Sequence, residues 1–343
     1  MNLLQGFMGI YLVTWLLLLW PAFLGAQVTQ LVAEAKREGT LDFYGPDQVK
    51  ATGAKQLESA FNKKYGLNIR LKYTESTQMM RDVGKLVTEV ATGGSPDWDV
   101  MVLPDTHHAV LWFRKLLLPL NFKGLGIEPK MVQFDSSAVS FANQFALPAY
   151  NKAILAPSNV PKSWTDLLDA KWKGGKLGLP VATPAHLALL AVGPWGEERT
   201  AKYVKALSQQ GLTIGRLGEI YNRMLIGETL ATVTLTNSFI FTAQKTRAPI
   251  VFAEEVEPVI SPAYYAAVLK GSRHPAVGQL FVAFLTTLEA QKLWEKFVGH
   301  TSAFIPGTPA YQFAQGKNVI YMTQDQANTV DRITKDFAKM LGI

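Results

Sequence analysis

The hydrophobic pattern of residues 41–73, LDFYGPDQVKATGAKQLESAFNKKYGLNIRLKY, contains a strand, a helix and a second strand. Leu41–Tyr44 is a short apolar run typical of a strand, and the turn residues Gly45–Asp47 end it. Lys50–Tyr65 predicts an amphipathic helix, followed by Gly66 where a helix-ending glycine belongs. Ile69–Tyr73 alternates apolar and polar residues, as a half-buried strand does. The apolar face of the helix consists of Ala54, Leu57, Phe61 and Tyr65.

The same alternation of strands and helices continues along the chain. A second helix with valines at helical spacing leads to the strand Trp98–Leu103, so the first third predicts a parallel sheet with right-handed crossovers. A helix from Ser163 to Trp172 and strands at Lys176–Leu179 and Leu230–Thr236 predict a second unit of this kind. We therefore expect an α/β protein with two sheets, each flanked by helices.

Composition narrows the class of protein. At 343 residues, with 48% hydrophobic and 18% charged residues, the chain suits a folded protein of about two domains. The net charge of +7 is spread along the chain rather than gathered in one basic stripe, which argues against a nucleic-acid partner. The sequence contains no cysteine, which excludes disulfides, thiolate metal sites and a cysteine nucleophile.

The first 26 residues differ from the rest. Met1–Ala26 has no charged side chain, has an apolar centre, and ends in Leu24, Gly25 and Ala26, where small residues suit a signal peptidase. We interpret it as a signal peptide that directs the protein to the periplasm. An uncleaved membrane anchor is the alternative, because Phe7–Leu24 is almost long enough to span a bilayer. A lipid anchor is excluded, since it requires a cysteine.

Four stretches carry a resemblance to a known family. They are Ala60–Gly66, Asp99-Val100, Pro161–Gly174 with its Trp164-Thr165-Asp166-Leu167 core, and Leu269–Pro275 leading into Phe281–Leu285. In this order and spacing they resemble the ferric-ion-binding-like branch of the bacterial extracellular solute-binding proteins, which serve ABC importers. The resemblance implies the type 2 periplasmic-binding-protein fold, in which two α/β lobes with mainly parallel sheets are joined by two crossing strands and enclose a ligand.

The resemblance also implies a division of the chain. We expect a first lobe formed by residues 27–146 and 255–343 and a second lobe formed by residues 147–254. The crossings are expected near Phe145–Asn151 and Ala248–Glu257.

Direct binding of iron can be checked against the same family. Members that bind ferric ion commonly use two adjacent tyrosines, a histidine and a glutamate. Here the tyrosine positions align with Ser238 and Phe239, the histidine with Gln48, and the glutamate region with Asp105. One hard oxygen ligand of four does not hold a bare ferric ion, so we predict no metal site of this type.

Two other clusters invite a metal or ligand role. In a strand, Tyr264 and Tyr265 would point to opposite faces, so we interpret the pair as core. His107 and His108 follow Asp105 at the end of a predicted strand, where α/β proteins bind ligands. Capping or solvent contact remains open for this loop beside ligand binding.

The loops at the carboxyl ends of the predicted strands are the candidate ligand site. For each residue, ordinary capping or turn chemistry is the alternative, and for Tyr150 it is packing at the crossing. The candidate contacts are Asp47, Gln48, Ser76, Thr77, Asp105, His107, Tyr150, Thr183, Asn237 and Ser238.

The function predicted from these features is the substrate-binding subunit of an ABC transporter, acting with its permease and ATPase as a monomer without a cofactor. The ligand is a small solute, with an anionic compound and a metal chelate both open. Membrane contact is expected only through the permease or an uncleaved signal. The sequence lacks the serine-hydrolase, Walker, zinc-protease and dinucleotide motifs, so no enzyme is predicted. The alternatives are an iron(III) transport protein, a ligand-binding sensor and an exported hydrolase.

Overall fold

A computed structural model of the protein describes residues 27–343. The signal peptide predicted at residues 1–26 lies outside this range. Within it, no helix combines the length and apolar character needed to cross a membrane.

The first third of the described chain builds most of one sheet. After a helix at residues 27–38 (α1), the elements are β1 Thr40–Pro46, α2 Lys50–Tyr65, β2 Arg70–Ser76, α3 Met79–Ala91, β3 Val100–Pro104, α4 Asp105–Phe113, β4 Val132–Gln133 and β5 Ala138–Asn143.

The middle of the chain builds most of a second sheet. Its elements are β6 Ala146–Asn151, β7 Leu177–Pro180, α5 Thr183–Val192, α6 Glu197–Ser208, β8 Thr213–Gly215, α7 Leu217–Leu225, β9 Ala231–Thr236, α8 Asn237–Thr246 and β10 Ile250–Phe252.

The last quarter of the chain adds strands to both sheets. Its elements are β11 Val259–Ser261, β12 Ala263–Val268, α9 Pro275–Leu285, α10 Leu288–Val298, α11 Pro309–Ala314, β13 Val319–Tyr321 and α12 Ala327–Leu341.

Two sheets flanked by helices confirm the predicted fold class. The first sheet has the order β2-β1-β3-β12-β5-β4, and the second has β13-β11-β6-β9-β7-β8 with β10 beside β6. The sheets are mixed rather than mainly parallel, because β5, β6 and β12 pair antiparallel with their neighbours and β11 pairs antiparallel with β6. Parallel pairing is kept between β1 and β2, β1 and β3, β7 and β8, β7 and β9, and β11 and β13.

The chain passes between the sheets at three places. It leaves the first sheet after Asn143 and enters the second at Ala146, and it returns through Pro262 between β11 and β12. Residues 299–318 then lead from α10 to β13 in the second sheet. These positions differ from the expected crossings, because residues 146–151 pair with β9 and β10 as an inner strand of the second sheet. By sheet membership, β11 and β13 join the second lobe.

The apolar stripe predicted on α2 packs as expected. Ala54, Leu57 and Phe61 are buried, and the ring of Phe61 contacts those of Phe281 and Phe284 on α9 at centroid distances of 5.4 and 5.6 Å. Burial of such side chains stabilises the fold by about 1.5–3 kcal/mol each. The first sheet is thereby covered on this face by α2 and α9.

The family-like stretches hold the fold together rather than forming a pocket. Ser163 and Asp166 make a capping box, and the indole N–H of Trp164 donates to the Pro258 carbonyl at 3.0 Å. This segment forms two short 3₁₀ turns, Trp164–Leu168 and Ala170–Trp172, instead of the continuous helix predicted from its apolar spacing. Trp164 thus ties the turn to the segment that precedes β11.

Asp99 joins two more of these stretches. One carboxylate oxygen accepts hydrogen bonds from the Ser272 hydroxyl at 2.7 Å and from the backbone N–H groups of Arg273 and His274. The other accepts from the backbone N–H of Asp42 at 2.8 Å and lies 2.7 Å from His274 Nδ1. Burial alone would raise the pKa of Asp99, but these donors hold it below its usual value.

Replacing Asp99 with asparagine should destabilise the protein, because the new amide would face groups that need an acceptor. Leaving one or two buried donors unpaired costs about 1–3 kcal/mol each, and urea unfolding monitored by circular dichroism measures the loss. Asp97→Asn is the matched control, since Asp97 lies two residues away, is exposed, and pairs with Lys85 on α3. Equal stability of the two variants would contradict the structural role of Asp99.

Candidate ligand-binding cleft

The carboxyl ends of the parallel strands in both sheets lie beside the crossings. Pro104, the last residue of β3, pairs with Tyr264, two residues after the crossing at Pro262. Thr236, the last residue of β9, pairs with Ala146, the first residue after the other crossing. The loops that follow these strands in the two lobes therefore face each other. Ligands bind at this edge in α/β proteins.

Tyrosines and acids form the edge of the first lobe. The Tyr73 hydroxyl donates to the Pro46 carbonyl, and the Tyr44 hydroxyl donates to the Asp82 carboxylate at 2.8 Å. Burial alone would raise the pKa of Asp82, but hydrogen bonds from Ser76 and Tyr44 hold it below its usual value. This edge carries an ordered polar network.

Four predicted contacts lie on this edge. Asp47 is half-buried, directly after β1, and Gln48 and Thr77 are exposed and available to a solute. Ser76 is buried, and its hydroxyl is engaged by Asp82 and by the backbone N–H of Gln78. Of the four, Ser76 is therefore the least free to contact a ligand.

Asp105 secures a crossing. It is 3% exposed, and one carboxylate oxygen accepts from the backbone N–H of Ala263 at 3.1 Å, immediately after Pro262. The other accepts from the Thr106 N–H at 2.7 Å. Burial raises the pKa of Asp105 to about 6, and these two hydrogen bonds only partly oppose the shift. Asp105 thus joins its own turn to the crossing, and these bonds leave it fewer free lone pairs than an exposed carboxylate has.

The neighbouring histidines are part of the packing. His108 is fully buried, and its Nε2 lies 2.9 Å from the Tyr265 carbonyl. His107 is half-buried, with Nδ1 3.2 Å from the Thr106 hydroxyl. Burial lowers the pKa of His107 to about 4 and that of His108 to about 3, so both rings are neutral at neutral pH.

The tyrosine pair divides between two faces, as the strand pattern predicts. Tyr265 packs against His108 and Phe134, whereas Tyr264 stacks on His300 at a centroid distance of 5.0 Å. Burial, reinforced by the charges of Asp47 and Asp105, raises the pKa of Tyr264 to about 12. Tyr264 is half-buried beside the cleft edge, and the sequence pattern identified it only as core.

The second lobe contributes hydroxyl and amide groups. Thr183, at the start of α5, is fully buried, with its hydroxyl 2.8 Å from that of Thr234. Asn237 accepts from the Phe145 N–H at 3.0 Å through its side chain and donates to the Phe145 carbonyl through its backbone. The Ser238 hydroxyl lies 2.9 Å from that of Thr236. Asn237, like Asp105, holds a crossing.

Tyr150 lies apart from the other candidates. It pairs with Ala231, the first residue of β9, whereas the cleft edge is at Thr236, the last residue of that strand. Five residues of strand span about 16 Å, so Tyr150 lies near the far edge of the second sheet.

The two lobes also contact each other between α8 and the end of α10, away from the crossing strands. The ring of Phe241 on α8 lies against Gly299, where a Cβ atom would come within 2.5 Å of it. Lys245 Nζ donates to the Lys296 carbonyl at 3.0 Å. Behind these contacts lies a cavity of about 220 Å³, and residues of both lobes and of the first crossing, including Phe145, Asn237 and His300, line it.

Asn143 links all three passages between the sheets, and sequence reasoning missed it. Its side chain accepts from the Ala303 N–H at 2.8 Å and donates to the Ser261 hydroxyl at 3.3 Å. Its backbone N–H donates to the Thr301 carbonyl at 2.8 Å. Because its partners are distant in sequence, no local pattern marks this residue.

One group of acidic and histidine side chains in residues 27–343 has metal-like spacing, namely Asp42, Asp99 and His274. It lies at the amino ends of β1 and β3, at the opposite edge of the sheet from the cleft. Because both oxygens of Asp99 already accept hydrogen bonds, we interpret the group as part of the folded structure rather than as a metal site.

The positions aligned with the family's iron ligands offer few hard donors. Ser238 bonds within its own turn, the Phe239 ring packs on Tyr221 at 5.4 Å, and Asp105 holds Ala263. These contacts agree with the chemistry of the side chains, which lack the phenolates that ferric ion favours.

Two lobes, a shared hinge and opposed loop edges define a two-lobed binding protein. The family model for bacterial extracellular solute-binding proteins matches residues 56–320, and the chain belongs to this family. This confirms the resemblance inferred from the sequence. No curated protein matches the chain in a sequence search.

Solved structures with the same fold share little sequence. Iron-bound HitA from Pseudomonas aeruginosa is 20% identical, with a TM-score of 0.67 over 87% of this chain and 99% of that one. Apo ferric ion-binding protein A from Pasteurella haemolytica is 11% identical, with a TM-score of 0.68 over 88% and 98%. AfuA from Actinobacillus pleuropneumoniae, with fructose-6-phosphate bound, is 17% identical, with a TM-score of 0.69 over 89% and 99%.

Proposed function

We propose that this protein is the substrate-binding subunit of an ABC importer, which captures a small solute between its lobes and delivers it to a membrane permease. The observation that carries the proposal is the pair of facing strand-end edges joined at one hinge, with a cavity lined from both sides. In this role the protein is periplasmic, exported by its signal peptide, monomeric, and has no catalytic residue.

Bare ferric ion is not the proposed cargo, although HitA carries iron and shares the fold. Ser238 and Phe239 replace the phenolate pair, and Asp105 is engaged by backbone donors. Without these ligands a bare ferric ion is disfavoured, which leaves an organic solute or a metal chelate.

Capture requires that the solute stabilise the closed arrangement more than the open one, because a ligand shifts an equilibrium only by its differential affinity. We expect small-angle scattering to show a smaller radius of gyration when the solute extracted from the protein's own periplasm is added back. An unchanged radius with a bound solute would contradict closure.

The contact between Phe241 and Gly299 offers a variant for the same measurement. Phe241→Ala removes a half-buried ring at the lobe interface, worth about 1–2 kcal/mol to the closed form. Solute affinity should fall about tenfold, with a larger radius before solute is added. Leu288→Ala is the matched control, because Leu288 is 47% exposed at the start of α10.

A further inference from the structure

Four phenylalanines line the cavity of about 220 Å³ between the lobes. Phe145 comes from the first crossing, Phe241 and Phe252 from the second lobe, and Phe313 from the segment that leads to β13. An apolar cavity of about 150 Å³ is large enough to hold a benzene ring. The space here therefore suits one ring with a small substituent.

The charges on the cavity wall have one sign. Glu254 and Glu295 line it, and within residues 27–343 its lining includes no lysine or arginine. Lys245 and Lys317 approach from outside and sit over the faces of Phe241 and Phe313, at 4.0 and 4.9 Å from the ring centroids. An anionic group inside the cavity would meet the two carboxylates first, which disfavours the anionic solute considered from the sequence.

His300 belongs to the cavity lining, but its one unpaired nitrogen does not face the cavity. It is 2% exposed, and its Nδ1 accepts from the indole N–H of Trp294 at 3.4 Å, so the ring proton of the neutral imidazole lies on Nε2. That N–H has no partner within the described part of the chain. Because the Nε2 atom has almost no accessible surface, a solute in this cavity does not reach it, and selection of the solute rests on the rings and the charges.

We propose that this cavity binds a small planar aromatic or heteroaromatic solute that is neutral or positively charged. The inference rests on the proposed function and names the class of solute that it carries. The phenyl rings favour a flat ring, and the carboxylates disfavour an anion.

Three probes of similar size test the selection by thermal shift. Benzamide is aromatic, neutral and carries a carbonyl; benzoate is its anionic counterpart; cyclohexanecarboxamide keeps the amide but lacks the flat ring. We expect benzamide to raise the Tm by about 2–4 °C at ten times its dissociation constant. Benzoate and cyclohexanecarboxamide should give at most a small part of this shift. A benzoate shift equal to or above that of benzamide would overturn the charge assignment and the proposal with it.

A variant pair locates the binding. Gln244 is exposed on α8 and lines the cavity, so Gln244→Trp should fill the space and abolish the benzamide shift without disturbing the core. Thr242→Trp, exposed on the same helix and absent from the cavity wall, should keep the shift. Equal responses of the two variants would refute binding in this cavity.

The solute that the protein carries from the periplasm separates this inference from the proposed function. Native mass spectrometry that finds a planar aromatic solute supports both. A bound non-aromatic or anionic solute that causes closure overturns the inference and leaves the transport function intact. A protein that closes on no periplasmic solute contradicts the function itself.

Discussion

Replacing Asn143 with alanine should lower the free energy of unfolding by about 2–4 kcal/mol, since two buried partners lose their hydrogen bonds. The Ala303 N–H and the Ser261 hydroxyl both bond the Asn143 side chain, and all three residues are buried. Because these partners belong to the other two passages between the lobes, the loss falls on the hinge. Chemical unfolding monitored by tryptophan fluorescence measures the effect.

Asn159→Ala is the matched control for this variant, because Asn159 is exposed at the end of a 3₁₀ turn. It should stay within about 0.5 kcal/mol of the parent protein, as surface substitutions usually do. If Asn143→Ala is equally mild, the three passages do not depend on this side chain. Asn143→Asp keeps an acceptor for Ala303 and should retain part of the stability.

The protein should lose stability steeply between pH 7 and pH 5. Burial lowers the pKa of His107 and His186 to about 4 and that of His108 and His300 to about 3. In the unfolded chain a histidine titrates near 6.5, so at pH 5 unfolding takes up about four protons on these rings. Their stabilisation is therefore complete above pH 6.5 and is lost as the pH falls towards 4.

Asp105 acts in the opposite direction. Burial raises its pKa to about 6, so at pH 5 the folded protein holds about one proton there that the unfolded chain releases. Net uptake on unfolding is then about three protons, and stability should change by about 4 kcal/mol per pH unit near pH 5. The carboxylates Asp82 and Asp99 have lowered pKa values and add to the loss only at still lower pH.

Guanidinium unfolding at half-unit intervals from pH 4.5 to pH 7.5 measures this slope. His107→Gln removes one of the four histidine rings that stay neutral in the folded protein. Unfolding of this variant at pH 5 should therefore take up about one proton fewer, and its stability should depend less steeply on pH. His107 suits this purpose, because its ring bonds only the adjacent Thr106 hydroxyl. A midpoint that is the same at pH 5 and pH 7 would contradict the assignment.

Local sequence patterns predicted much of the fold. Ala54, Leu57 and Phe61 recur at helical spacing, and all three are buried on α2 because that spacing places them on one face. The family-like stretches were informative because residues such as Asp99 and Trp164 make fixed hydrogen bonds within the fold. Their contacts say nothing about the ligand, which is why the sequence identified the family but not the cargo.

The sequence predicted where the site residues lie, but not what their side chains do. Asp105 and Asn237 lie at strand ends by the cleft, yet their side chains bond the backbone of Ala263 and Phe145 at the crossings. Asn143 was missed because its side-chain partners lie 118 and 160 positions further along the chain. The cavity was missed for the same reason, since its walls come from segments that meet only in the folded protein.

The place of β12 affects how the protein is made. This strand, residues 263–268, lies between β3 and β5, so the first sheet stays split until three quarters of the chain is available. Contacts between such distant segments form slowly, so the first sheet is completed late in folding. Until β12 is made, β3 and β5 therefore present unpaired edges that another chain could pair with, so premature release of a truncated chain favours aggregation.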